Sequence, residues 1–147
     1  MPTRTFWLIS ASGLAPFIVC LAIAYGRPDV RELHDAAIRT FLVYAALTLS
    51  FLGGARWGAE LTRAPNDPNL WRMLAAATPS VVGLAALLPQ TPQKAALGLL
   101  MLSGGIQLAW DVAASRDGLL PPWNARVRTV MTMAGTVCSL ALWPTIT

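Results

Sequence analysis

The chain has 147 residues, of which 55% are hydrophobic and only 12% charged, and it carries a net charge of +4. A soluble domain of this size has about 25% charged residues to cover its large surface, so lipid is read as the solvent for most of this one, in line with a mean hydropathy of +0.54. The basic residues lie in short loops between apolar runs, where they fix topology, and no basic tract interleaved with aromatics points to nucleic acid.

A spanning helix needs about 20 mainly apolar residues, and five runs approach that length. The first, residues 6–25, has no charge. With Arg4 before it and Ala22-Ile23-Ala24 near its end it imitates a secretory signal, but its apolar stretch is long for one and contains Pro16, so it is read as a retained helix. Between it and the second run, residues 28–38 mix charges of both signs among apolar positions. The spacing of Val30, Leu33 and Ala37 suits a short amphipathic helix on the membrane interface, and the charges read as a solvated face rather than a binding patch.

The second run, residues 40–61, is apolar to Ala55 and then carries Arg56 and Glu60. Tyr44, Thr48, Arg56 and Glu60 share one stripe of this helix at multiples of four residues. Ser50, Gly54 and Gly58 form a small-xxx-small face that lets helix backbones approach, read first as packing within the chain and second as self-association. The third run, residues 72–88, contains Pro79, and a kink is expected there as near Pro16. The fourth, residues 95–114, places Ser103, Gln107 and Asp111 on one stripe. The fifth, residues 129–146, is uncharged, and Arg128, Thr132 and Thr136 lead into it at four-residue spacing. Pro121 and Pro122, in the loop before it, break the helix, and Trp123 reads as an interface anchor. The predicted fold is all-α, a polytopic transmembrane bundle of about five helices in a single integral membrane domain.

Orientation follows from the basic residues on alternate sides. Arg4, Arg56, Arg63, Arg72, Arg116, Arg126 and Arg128 fall on one side, and Arg27, Arg31, Arg39 and Lys94 on the other. The richer side is cytoplasmic, which places the amino terminus inside and the carboxy terminus outside. The expected location is a bacterial cytoplasmic (inner) membrane, or the mitochondrial inner membrane in a eukaryote.

Ionisable residues within a membrane are expensive and become functional candidates by default. Arg56, Glu60, Asp111, Arg126 and Arg128 form the predicted polar cluster near the cytoplasmic ends of the helices. Arg56 and Asp111 are expected at similar depth and are predicted to pair, directly or through Glu60 and Arg126. Tyr44, Thr48, Ser103 and Gln107 form a candidate polar path between the second and fourth helices. No catalytic motif accompanies these groups: GxSxG, HExxH, Walker and dinucleotide fingerprints are all missing from the sequence. Cys20 and Cys138 lie in apolar runs, His34 is the one histidine, and neither a metal site nor a cofactor is expected.

As a set, Gly13-Leu14-Ala15-Pro16-Phe17 and Ser50-Phe51-Leu52-Gly53-Gly54-Ala55-Arg56-Trp57-Gly58 resemble the transmembrane-protein-69-like family, small multi-spanning proteins of bacteria and mitochondria. Thr78-Pro79-Ser80, Asp111, Trp123 and the stretch from Arg126 to Thr132 extend the resemblance over nearly the whole chain. Arg56 departs from it, an uncharged residue or histidine being expected there. The resemblance implies a fold and membrane residence; the family is a domain of unknown function and implies no substrate. Small size, little mass outside the membrane and the close-packing glycine face lead to the expectation of a non-enzymatic component that packs in or helps assemble a larger membrane complex. A small transporter or channel is the alternative, and a lipid- or quinone-modifying enzyme a weaker third.

Overall fold

The computed structural model describes residues 2–116, 118 and 122–146. Among these every regular element is helical: α1 (Pro2–Ser12), α2 (Ala15–Gly26), α3 (Arg31–Arg63), α4 (Leu70–Ala86), α5 (Gln93–Arg116) and α6 (Pro122–Leu142), closed by a 3-10 turn at Trp143–Thr145. Among the described residues three segments are long and apolar enough to cross a membrane: Trp7–Gly26, Arg31–Arg63 and Gln93–Arg116. Helix α4 is apolar but has 17 residues, and α6 carries Arg126 and Arg128 in its second turn. Large apolar side chains such as Leu8, Phe51, Trp71 and Leu84 point outward, as they do when lipid replaces water around a protein.

The first apolar run is interrupted rather than bent. Pro16 has no N–H to offer, and its ring would crowd the carbonyl of Ser12. The chain therefore tightens into i→i−3 bonds, Gly13 N to Ser10 O at 3.1 Å and Leu14 N to Ala11 O at 3.0 Å. Helix α2 restarts with Pro16 in its first turn, where a missing donor costs nothing.

The expected interface helix over residues 28–38 does not stand alone; it is the first part of the 33-residue α3. Pro28 and Asp29 delay the helix start, but no glycine or proline lies between Arg31 and Leu52 to end it again. At about 1.5 Å per residue α3 is about 50 Å long, more than a hydrocarbon core of about 30 Å, a length that tilt or an overhanging charged end accommodates. The last helix begins at Pro122, seven residues before the expected 129, and stops before Pro144. Proline at the first helical position is favoured. The break expected at Pro121 lies outside the described residues.

The chain divides into two compact units, Met1–Phe41 with Gly104–Thr147, and Leu42–Ser103. In the first, α6 packs against α1 and α2. The Phe17 ring meets Phe41 edge-on at 4.8 Å between centroids, and Tyr25 Oη donates to the Ala141 carbonyl at 2.5 Å. In the second, α3 packs on α4 through small residues. A Cβ on Gly53 would collide with the Ala76 carbonyl and touch Pro79, and one on Gly83 would lie 3.2 Å from Ala46. The Ser50 and Ser80 hydroxyls are 2.7 Å apart and hydrogen-bonded.

Candidate functional site

Two charged centres of the predicted polar cluster are described, one within each unit. In the Leu42–Ser103 unit the centre is Glu60, in the last turn of α3 and 6% exposed. Arg63, one turn on, donates from Nε to Oε2 at 2.9 Å and from Nη2 to Oε1 at 2.5 Å. The Asn69 backbone N–H donates to Oε1 at 2.9 Å, and Arg72 Nη1 lies 3.7 Å from Oε2. Asn69 also caps α4, its Oδ1 accepting from the Arg72 N–H at 3.1 Å. One carboxylate thus ties the end of α3 to the connecting loop and to the start of α4. The bidentate Arg63 fork gives that tie its direction.

In the other unit the centre is Asp111 on α5, 3% exposed, with Arg128 Nε of α6 at 3.7 Å from Oδ2. Two further side chains share the Asp111 stripe at four-residue spacing and are also buried: Gln107 at 3% and Ser103 at 8% exposed. Ser115 continues the stripe, and its Oγ is buried with no hydrogen-bond partner among the described residues. A run of buried polar groups on one helix face holds that helix in a single rotational setting, since turning it would strand them in hydrocarbon.

The remaining predicted residues are placed as follows. Arg56 is half-buried and Arg126 exposed; Arg56 belongs to the Leu42–Ser103 unit and Arg126 to the other. Tyr44 and Thr48 are half-buried, with Thr48 Oγ1 donating to the Tyr44 carbonyl at 2.8 Å. Of the small-residue face, Ser50 meets α4. Gly54 and Gly58 are both exposed, and among the described residues a Cβ on either would meet nothing within 4 Å. The glycine at the helix contact is Gly53, about 100° round the helix from Gly54.

Arg63, Arg72 and Asn69 were not in the predicted cluster. The signal for Arg63 was its i+3 spacing from Glu60. That for Asn69 was an asparagine immediately before an apolar run, an N-cap pattern. Among the described residues no group of three His, Cys, Asp or Glu side chains could hold a metal ion.

Comparison with known proteins agrees with this all-α, lipid-facing chain. A family described as "Protein of unknown function (DUF3429)" matches residues 2–144. The chain belongs to the DUF3429 family. It is also similar to Transmembrane protein 69 of Xenopus tropicalis, 30% identical over 93 residues. That match covers 63% of this chain and 36% of the frog protein, so the chain spans little more than a third of this relative's length. No solved structure matches the chain. Membership establishes a membrane-protein family of unknown function, and the two charged centres are the chemistry this DUF3429 chain offers.

Proposed function

We propose that this DUF3429 protein is a non-enzymatic structural or assembly component of a larger complex in a bacterial cytoplasmic or mitochondrial inner membrane. Its amino terminus faces the cytoplasm or matrix. The observation that carries this reading is that the two buried acidic groups, Glu60 and Asp111, are each engaged by basic side chains of their own unit. A carboxylate held by arginine fixes helix ends and is poorly placed to act as a general base. The open face at Gly54 and Gly58 supplies a surface on which a second helix could approach closely. Purification from native membranes in mild detergent, followed by mass spectrometry, should yield a reproducible partner or a self-associated form. Repeated recovery of a bare monomer would overturn the reading.

The buried stripe Ser103–Gln107–Asp111 favours a second reading, a small transporter or channel whose path is completed by Tyr44 and Thr48. Polar groups near the midplane are the usual sign of such a path. Flux of an ion or solute in reconstituted vesicles, lost in Asp111→Asn, is its test, and flux no greater than in empty vesicles would sink it.

A further inference from the structure

The connection from α2 to α3 builds a site that neither charged centre uses. A half-open surface cavity of about 580 Å³ is lined by Ala24, Tyr25, Asp29, Arg31, His34 and Thr145, together with Pro28 and Asp35. All of these residues belong to one compact unit. The stretch that reads in sequence as a solvated face is folded here against the ends of α2 and of the closing 3-10 turn.

Both charge signs line the cavity, Arg31 on one side of the balance and Asp29 and Asp35 on the other. Asp35 already has His34 Nδ1 3.8 Å from its Oδ1. Two hydroxyls complete the lining, and both have spent their protons elsewhere. Tyr25 Oη donates to the Ala141 carbonyl at 2.5 Å, and Thr145 Oγ1 donates to the Leu142 carbonyl at 2.8 Å. What these hydroxyls retain is acceptor capacity. Asp29, Tyr25 and Thr145 therefore offer a set of oxygen acceptors, and Arg31 offers a guanidinium suited to a phosphate.

The location supplies the other half of the ligand. Trp7–Gly26 is 20 residues long and ends at this cavity, so by length the cavity falls where the hydrocarbon gives way to headgroups. Ile18, Ala22 and Tyr25 recur at i, i+4 and i+7 and are all exposed. They make a stripe along α2 that leads from the apolar layer to the cavity's own Tyr25.

We propose that this cavity binds the headgroup of a zwitterionic phospholipid bearing a primary ammonium, of the phosphatidylethanolamine class, with the acyl chains lying along the exposed stripe of α2. Arg31 takes the phosphate. Asp29, Tyr25 Oη and Thr145 Oγ1 take the three N–H groups of the ammonium. The acceptor set discriminates: a quaternary choline has no N–H to give, and a glycerol headgroup has no cation to set against Asp29.

Native mass spectrometry of the detergent-purified full chain, titrated in turn with dioleoyl phosphatidylethanolamine, phosphatidylcholine and phosphatidylglycerol, tests this. The expected result is retention of the ethanolamine lipid about tenfold more tightly than either of the others. This comparison uses the unaltered protein and stands whether or not any variant folds. Arg31→Gln and Asp29→Asn should each weaken ethanolamine-lipid binding by about tenfold. Glu32→Gln, an exposed neighbour outside the cavity lining, should leave it unchanged. Equal retention of the three lipids would overturn the proposal, as would unaltered binding in both Arg31→Gln and Asp29→Asn. Soluble glycerophosphoethanolamine binding as tightly as the lipid would assign the cavity to a free phosphoamine and overturn the lipid assignment.

Discussion

Asp111 shows what a single buried charge demands of its surroundings. Held at 3% exposure beside Arg128, it is tolerable only while a counter-charge is near, because an unpaired buried ion is the costly state. Arg128→Leu should therefore destabilise the protein by about 3 kcal/mol, as should Asp111→Leu, whereas the double replacement should cost less than either alone. Unfolding in detergent, followed by circular dichroism, measures the three variants, and additive losses would show that the two side chains do not depend on one another. The same cycle tests the proposal that Arg56 shares the charge of Asp111. A coupling of about 1 kcal/mol between Arg56→Leu and Asp111→Leu supports it, and a coupling near zero removes it. The stripe Ser103–Gln107–Asp111 was legible in the sequence because four-residue spacing is a property of the helix itself. That Arg72 of α4 approaches Glu60 was not legible, because it depends on how helices pack side by side, whereas Arg63 stands one turn along the same helix.

At the scale of elements, the contact between α3 and α4 turns on Gly53 and the loop on Glu60. A methyl group on Gly53 would run into the backbone carbonyl of Ala76, which has no rotamer by which to yield. Gly53→Ala should cost about 1–3 kcal/mol, whereas Gly54→Ala and Gly58→Ala should be neutral or stabilise α3 by up to about 1 kcal/mol. If cross-linking shows that the Gly54 and Gly58 variants also lose a self-associated species, that face is an interface between chains; unchanged association would confine their role to the helix. Asn69→Ala should cost about 1 kcal/mol through the lost cap of α4, and Glu60→Gln should speed protease cleavage in the 64–69 connection that it holds. Unaltered cleavage in Glu60→Gln would mean that the loop is ordered by other contacts. The small-xxx-small pattern was visible in the sequence, but periodicity alone could not say which side of α3 receives α4. Gly53 sits between the two faces that the sequence made prominent. At Pro16 the sequence marked the place but not the outcome: a kink was expected, and the missing donor instead interrupts the run. The continuous α3 was missed because residues 31–39 are charged, and charge reads as a boundary although nothing in the backbone ends the helix there.

For the whole molecule, the question that decides topology is whether α4 crosses the membrane. Its 17 residues give about 26 Å of helix, against a hydrocarbon core of about 30 Å. The deficit can be met by local thinning and by flanking side chains that reach the interface; Trp71 and Arg72 stand at its start, and Trp71 is 77% exposed. If α4 crosses, the 64–69 connection and the connection containing Gln90 lie on opposite sides, and the seven-against-four distribution of basic residues puts the former in the cytoplasm. Replacing Cys20 and Cys138 by serine leaves a chain in which one introduced thiol reports its own side. A membrane-impermeant maleimide applied to intact cells should label Gln90→Cys but reach Asn66→Cys only after lysis, both positions being exposed in the folded chain. The opposite pattern would invert the topology and move the cavity of α2 and α3 to the cytoplasmic leaflet. Labelling of both positions from the same side would mean that α4 does not traverse the bilayer. The Glu60 centre would then hold together two helices that meet at one surface, rather than a hairpin across the membrane.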